Sequence, residues 1–246
     1  MPVNLAYQAY RILWEAMDLL YPPNCGGCGS AGVRWCADCS RATFEIPLPI
    51  CPICGNPSLT KEPCQRCTET RPLFAALRSY TVFGGPIREA IHRLKYQRDI
   101  GLGEVLATPM IASLQKLNWP VDILTSVPLG LARFKERGYN QATLLARPIG
   151  LSLRIPFSSH VLSRIKETRT QVGLTVYERQ ENMAGAFQAN RELVQGKNIL
   201  VVDDVATSGA TFNACAKALL DAGATRVYGF SLARAVYSPS GDIDIT

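Results

Sequence analysis

No stretch of the chain approaches the roughly 18 to 20 uninterrupted apolar residues that a membrane-spanning helix requires. Nor do the first residues show a charged start, an apolar run and a small-residue cleavage site, so the sequence leads us to expect a cytoplasmic protein. Histidine is scarce, with 2 in 246 residues. His92 and His160 stand alone in a helical and a strand-like stretch, and no Ser/His/Asp or Cys/His arrangement is present to support hydrolysis. The charged fraction of 19% against 47% hydrophobic is too low for a disordered chain and suits one that buries a real core. The net charge of +6 is also missing from one end. Residues 1–70 hold five Lys/Arg against six Asp/Glu, while residues 71–246 hold 21 against 14. The N-terminal part therefore lacks the basic excess that contact with a nucleic-acid backbone needs.

Cysteine is almost absent outside one segment, where Cys215 alone sits in an apolar helical pattern and reads as core. The other eight fall in four C-x-x-C pairs, Cys25/Cys28, Cys36/Cys39, Cys51/Cys54 and Cys64/Cys67. Such a turn lets two thiolates reach one ion, and two turns complete a tetrahedral four-cysteine zinc site. Four turns make two sites. Sequential pairing is the simplest; an interleaved cross-brace stays open. With every ligand supplied by protein, no coordination position is left for substrate, so the metal is structural; zinc is the expectation, and the spacing leaves iron–sulfur ligation open. Gly26, Gly29 and Gly55 suit backbone turned towards sulfur.

These features divide the chain into an N-terminal helix (1–22), a double four-cysteine module (23–70) and a larger domain (71–246). The opening "VNLAYQAYRILWEAMDLL" has helical apolar spacing and runs into Pro22-Pro23. Residues 25–67 are rich in Gly and Pro and cannot build an apolar core unaided, a shortfall that metals usually make good. Beyond Pro72, strands and helices alternate. "FAALRSYTVF", "VDILTSVPL", "SSHVLSRI", "KNILVVDD" and "RVYGFSLARA" read as strands; "GPIREAIHRLKY", "IGLGEVLATPMIASLQKL", "NQATLLARPIGLSL" and "ATFNACAKALLDAG" read as helices. The expected fold is α/β, a mostly parallel sheet covered on both faces, behind a small zinc module.

Within this frame "VVDDVATSGAT" (201–211) sets two carboxylates at the end of a buried strand and small or hydroxylated residues at the start of a helix. Ligands of a parallel sheet bind at the carboxyl ends of its strands, and a helix N-terminus presents N–H groups to an anion. Gly209 lets backbone approach closely, while Thr207, Ser208 and Thr211 add hydroxyls. No Gly-Lys-Ser/Thr follows, so this is not the ATP-type loop. A phosphate in the loop and vicinal hydroxyls on the acids together describe a sugar phosphate.

The run resembles the signature of type I phosphoribosyltransferases, which bind phosphoribosyl pyrophosphate (PRPP). The V-P-L and R-G-Y-N-Q of "VPLGLARFKERGYNQA", the run "TRTQVGLTVYERQENMAGAF" and cysteine pairs ahead of an "RLKY" helix resemble the ComF family from about Leu19 to Arg234. The resemblance implies that Asp203 and Asp204 hold the ribose 2′- and 3′-hydroxyls, and that Ala206, Thr207, Ser208, Gly209, Ala210 and Thr211 hold the 5′-phosphate. It implies that Pro128, Leu129 and Gly130 meet the pyrophosphate with Arg133 and Arg137. The segment from Lys166 to Gly173 would close over the site, Lys166 and Arg169 touching pyrophosphate. It further implies Mg2+ with PRPP, an unidentified acceptor, and a link to DNA uptake, with single-stranded DNA or competence proteins as candidate partners. A non-catalytic PRPP sensor or a DNA- or partner-binding protein is the alternative.

Overall fold

A computed structural model describes residues 4–166, 183 and 185–236. Four parallel strands form the central sheet: β1 (Ala76–Val82), β2 (Ile123–Ser126), β5 (Asn198–Ala206) and β6 (Arg226–Arg234), in the order β1-β6-β5-β2. The apolar run of β5 follows from burial on both faces. Ile199 and Val201 point into one core with Phe212, Cys215 and Leu219; Leu200 and Val202 point into the other with Ile91, Met110 and Leu145. The first core lies under α9 (Ala210–Asp221), and the second under α4 (Gly85–Tyr96), α5 (Leu102–Leu117) and α7 (Gln141–Leu153).

The strand read from "SSHVLSRI" is present as β3 (Leu162–Arg164) but outside this sheet. It pairs antiparallel with β4 (Phe187–Ala189) and sits over the α9 core. The short helix α8 (Arg191–Val194) follows, and α6 (Leu131–Arg137) occupies the stretch after Pro128.

The N-terminal helix α1 (Leu5–Leu20) is fixed by its polar side. Asn4 donates from its side-chain amide to the Leu151 carbonyl, Arg34 pairs with Asp18 and lies 5.0 Å over the Trp14 ring, and Tyr7 packs against the core. Its apolar residues Leu5, Ile12 and Leu19 face outward.

The cysteine-rich segment, with its short helices α2 (Ala37–Arg41) and α3 (Gln65–Glu69), lies along the outermost strand rather than apart from it. Leu77 N–H donates to the Ile53 carbonyl at 2.8 Å and Val82 N–H to that of Phe44 at 3.1 Å. Cys51, Ile53, Cys54 and Cys67 belong to the same buried cluster as the sheet residue Leu77 and the α9 residue Phe212.

Candidate functional site

The eight cysteines gather in two groups in sequence order: Cys25, Cys28, Cys36 and Cys39, then Cys51, Cys54, Cys64 and Cys67, the sulfurs of each group all within 4.8 Å of one another. The sequential pairing is the one the chain adopts. Sulfurs of a tetrahedral zinc site lie about 3.8 Å apart, given Zn–S bonds of about 2.3 Å. Here Cys25 Sγ is 3.6 Å from Cys39 Sγ, Cys28 Sγ is 3.7 Å from Cys36 Sγ, and Cys54 Sγ is 3.7 Å from Cys64 Sγ. Backbone amides also turn towards sulfur. Cys36 N–H donates to Cys25 Sγ and Cys64 N–H to Cys51 Sγ, each at 3.3 Å. Burial pushes the Cys25 and Cys51 thiols up, but the amide donors around them outweigh it and pull both down to about 6. The residues fit two structural zinc ions.

The second site forms where β2 and β5 end side by side. Ser126 is level with Val202, and Val127 N–H still donates to the Val202 carbonyl at 2.9 Å. Pro128, Leu129 and Gly130 therefore leave the sheet beside Asp203 and Asp204 at the carboxyl end of β5. From Ala206 the chain turns through Thr207 and Ser208 to Gly209, whose φ of +81° is left-handed and favours glycine. Ala210 and Thr211 then open α9, with Ser208 Oγ accepting Ala210 N–H at 3.4 Å. This first helical turn lies beyond the acid pair, and its leading backbone N–H groups are of the kind that can receive an anion.

The two acids live in different surroundings. Asp204 is buried at 3% exposure, with Lys95 Nζ paired to its Oδ2 and Gln141 Nε2 donating to its Oδ1 at 3.0 Å. Burial pushes its carboxyl up, yet the Lys95 charge and these hydrogen bonds prevail and hold it below the usual range. Asp203 is half-buried, and among the described residues no Lys or Arg forms an ion pair with it. Burial and the neighbouring Asp204 charge drive it well above the usual range, although its Oδ1 accepts Asp204 N–H at 2.9 Å.

The RLKY and RGYNQ motifs meet at Asp204. Lys95 and Tyr96 end α4; Arg137 donates to Gln141 Oε1 and lies 5.5 Å over the Tyr96 ring; Tyr139 Oη donates to the Leu94 carbonyl at 2.5 Å. Asn140 caps α7 while its amide holds the Val127 carbonyl at 2.9 Å, which ties this corner to the end of β2. Arg133 stands exposed on α6. Lys166 is exposed just beyond β3, its carbonyl accepting Arg164 Nε–H at 3.4 Å. Arg169 lies outside the described residues. Arg234 is a site neighbour that the sequence did not disclose. Fully buried at the end of β6, it donates to the Thr207 carbonyl at 3.5 Å and to the second cysteine group.

Residues 16–68 match the family described as a double zinc ribbon domain, and residues 103–236 match the phosphoribosyl transferase domain. The chain is 33% identical over 206 residues to the DNA utilization protein YhgH of Escherichia coli (strain K12), covering 81% of this chain and 89% of that protein. It is 29% identical over 209 residues to competence protein F of Haemophilus influenzae (81% and 90% covered). It is 27% identical over 235 residues to competence protein ComFC of Bacillus subtilis (91% and 90% covered).

Proposed function

Because the chain belongs to the ComF family, carrying a double zinc ribbon and a phosphoribosyl transferase domain, we propose that it binds Mg-PRPP and transfers the phosphoribosyl group to an acceptor during the use of incoming DNA. One observation carries this reading: the adjacent carboxylates at the end of β5 run directly into the loop and first turn of α9. The acids accept from the ribose 2′- and 3′-hydroxyls, and the backbone of residues 206–211 receives the 5′-phosphate. Lys95 keeps Asp204 ionised, hence a hydroxyl acceptor.

In the transfer, the bond from the anomeric carbon to a pyrophosphate oxygen breaks, the sugar passes through a cation-like state, and the acceptor's lone pair forms the new bond. Pyrophosphate leaves with the electron pair. Residues 128–130, Arg133 and Arg137, with Lys166 and Arg169, are assigned to its negative charge. Mg2+ entering with PRPP would supply further neutralisation of that charge. The link to DNA rests on the names of the relatives.

The second reading is PRPP binding without transfer, in which Asp204, held by Lys95 and Gln141, serves only to grip the sugar. Calorimetric titration with PRPP, with and without Mg2+, followed by a pyrophosphate-release assay with bases, amines and single-stranded DNA in turn, tests both. Turnover with one acceptor selects the transferase, and saturable binding without turnover selects the sensor. Unchanged binding when Asp203 and Asp204 are both replaced by Ala overturns the site.

A further inference from the structure

Arginines surround both cysteine groups, and they are balanced differently. Beside the first group, Arg93 Nη1 donates to the Cys25 carbonyl at 2.8 Å while Nη2 pairs with Asp99 at 2.8 Å, and Arg34 pairs with Asp18. Beside the second group, Arg78 donates to the Leu77 and Pro52 carbonyls, each at 2.9 Å. Arg234 donates to Asn56 Oδ1 at 2.6 Å, to the Cys54 carbonyl and, at 3.5 Å, to the Thr207 carbonyl. Among the described residues, no carboxylate forms an ion pair with either arginine.

Arg234 is fully buried, and among the described residues its Nε–H has no hydrogen-bond partner. A guanidinium removed from water without a counter-charge is costly, so its charge needs an anion nearby. The second cysteine group is the anion at hand. Four thiolates around one Zn2+ carry a formal charge of about −2, and the Cys51–Cys54 turn supplies the carbonyls that both arginines grip. Asn56, which Arg234 also holds, belongs to that turn, its carbonyl accepting Cys51 N–H at 2.8 Å. At its other end Arg234 lies level with Ala206 across β5 and β6 and holds Thr207, where the loop to α9 begins.

We propose that Arg234 is a positioning residue through which the second zinc centre sets the phosphate loop. The metal-thiolate centre balances and fixes the guanidinium; the guanidinium fixes the Thr207 carbonyl; the loop amides that follow are thereby aimed at the 5′-phosphate. The loop's role in this scheme rests on the PRPP reading above. By reciprocity, a ligand in the loop is expected to tighten the second zinc ion.

Hydrogen exchange at the amides of residues 205–212, measured on the full zinc-loaded chain, tests the coupling without any ligand. Cys64→Ser, which opens the second centre, and Arg234→Met are each expected to speed loop exchange about tenfold, against no change for Cys28→Ser, which opens the first. Should Arg234→Met fail to fold, Asn56→Ala is expected to speed the same amides several-fold with both zinc ions retained. With PRPP present, release of one of the two zinc ions to a chelator should slow several-fold in the wild type, and Asn56→Ala should weaken that effect. Loop exchange indifferent to Cys64→Ser overturns the proposal, as does PRPP that binds yet leaves both zinc release rates unchanged. Loop exchange that follows the second centre in a protein that binds no PRPP leaves the coupling standing and removes the ligand reading.

Discussion

The two four-cysteine groups share the C-x-x-C turn and similar sulfur distances, yet they serve different parts of the protein. The first rests on helices. Its Cys25 carbonyl holds Arg93, two residues before the Lys95 that pairs with Asp204, so it buttresses the acid end of the site. The second is built into the sheet. Three of its four cysteines are in a main core, and through Arg234 it reaches the opposite end, at Thr207. One sequence motif used twice has thus become a surface clasp in one case and a core element in the other. The difference comes from what lies beneath each turn.

Removal of one ligand from each group gives the widest contrast. Cys64→Ser is expected to lower the thermal midpoint by about 10 °C or more, because loss of metal there uncouples a segment of the core. Cys28→Ser, at an exposed sulfur, should cost less than half as much, each variant retaining about one zinc by elemental analysis. Equal losses would break the distinction.

Equivalent glycines separate the groups more finely. Gly29 follows Cys28 with φ +80°, and Gly55 follows Cys54 with φ +70°. A methyl group on Gly29 meets open space, whereas on Gly55 it runs into the Leu77 carbonyl oxygen of β1. Denaturant unfolding should show Gly29→Ala losing about 1 kcal/mol from backbone strain alone. Gly55→Ala should lose about 3 kcal/mol, since strand or turn must also shift.

At the acid end the two carboxyls are expected to move stability in opposite directions. Asp204 is held low, so its contribution is present above the ordinary carboxylate pKa and is lost as pH falls through its folded value. Asp204→Asn leaves Lys95 unpaired and should cost about 2–3 kcal/mol at pH 7. Asp203 is held high, so the folded protein keeps a proton the unfolded chain releases, and stability declines as pH rises from the ordinary value through the raised one. Asp203→Asn should therefore stabilise by about 1 kcal/mol at pH 7, while weakening PRPP binding. Melting curves of the wild type and the two Asn variants from about pH 2 to about pH 8 check both signs, Asp204 below the ordinary carboxylate value and Asp203 above it.

The smallest effect concerns the link from the first group to the acid. Arg93→Lys keeps the charge beside Asp99 but loses one of the two grips, and should shift the thermal midpoint by only about 2 °C. A larger shift than that of Gly29→Ala would mean that the first group carries more of α4 than its exposed position implies.

Cysteine spacing disclosed both metal groups because C-x-x-C is a local device whose geometry is complete within one turn. The acid pair and its loop were equally legible, since strand, carboxylates and helix start are contiguous. β4 was not, because Phe187–Ala189 is too short to show alternation. Arg234 escaped notice for the opposite reason. In sequence it is the last residue of an apolar strand, and the groups that explain its burial, Asn56 and the Cys54 carbonyl, lie 178 and 180 positions away. Lys95 stood in sequence only within the RLKY stretch, and the tertiary fold is what turns it towards Asp204.

The hydrogen bonds from Leu77 to Ile53 and from Val82 to Phe44 have a further consequence. Among the described residues β1 has a sheet partner on one side only, and on its other side the zinc module takes up amides that would otherwise be available to any extended chain. Stripping the metal would uncover the strand "ALRSYTV", a ready template for pairing between molecules. The zinc ribbon then acts as a guard on solubility, and chelator-treated protein should cloud and scatter light before its helices melt.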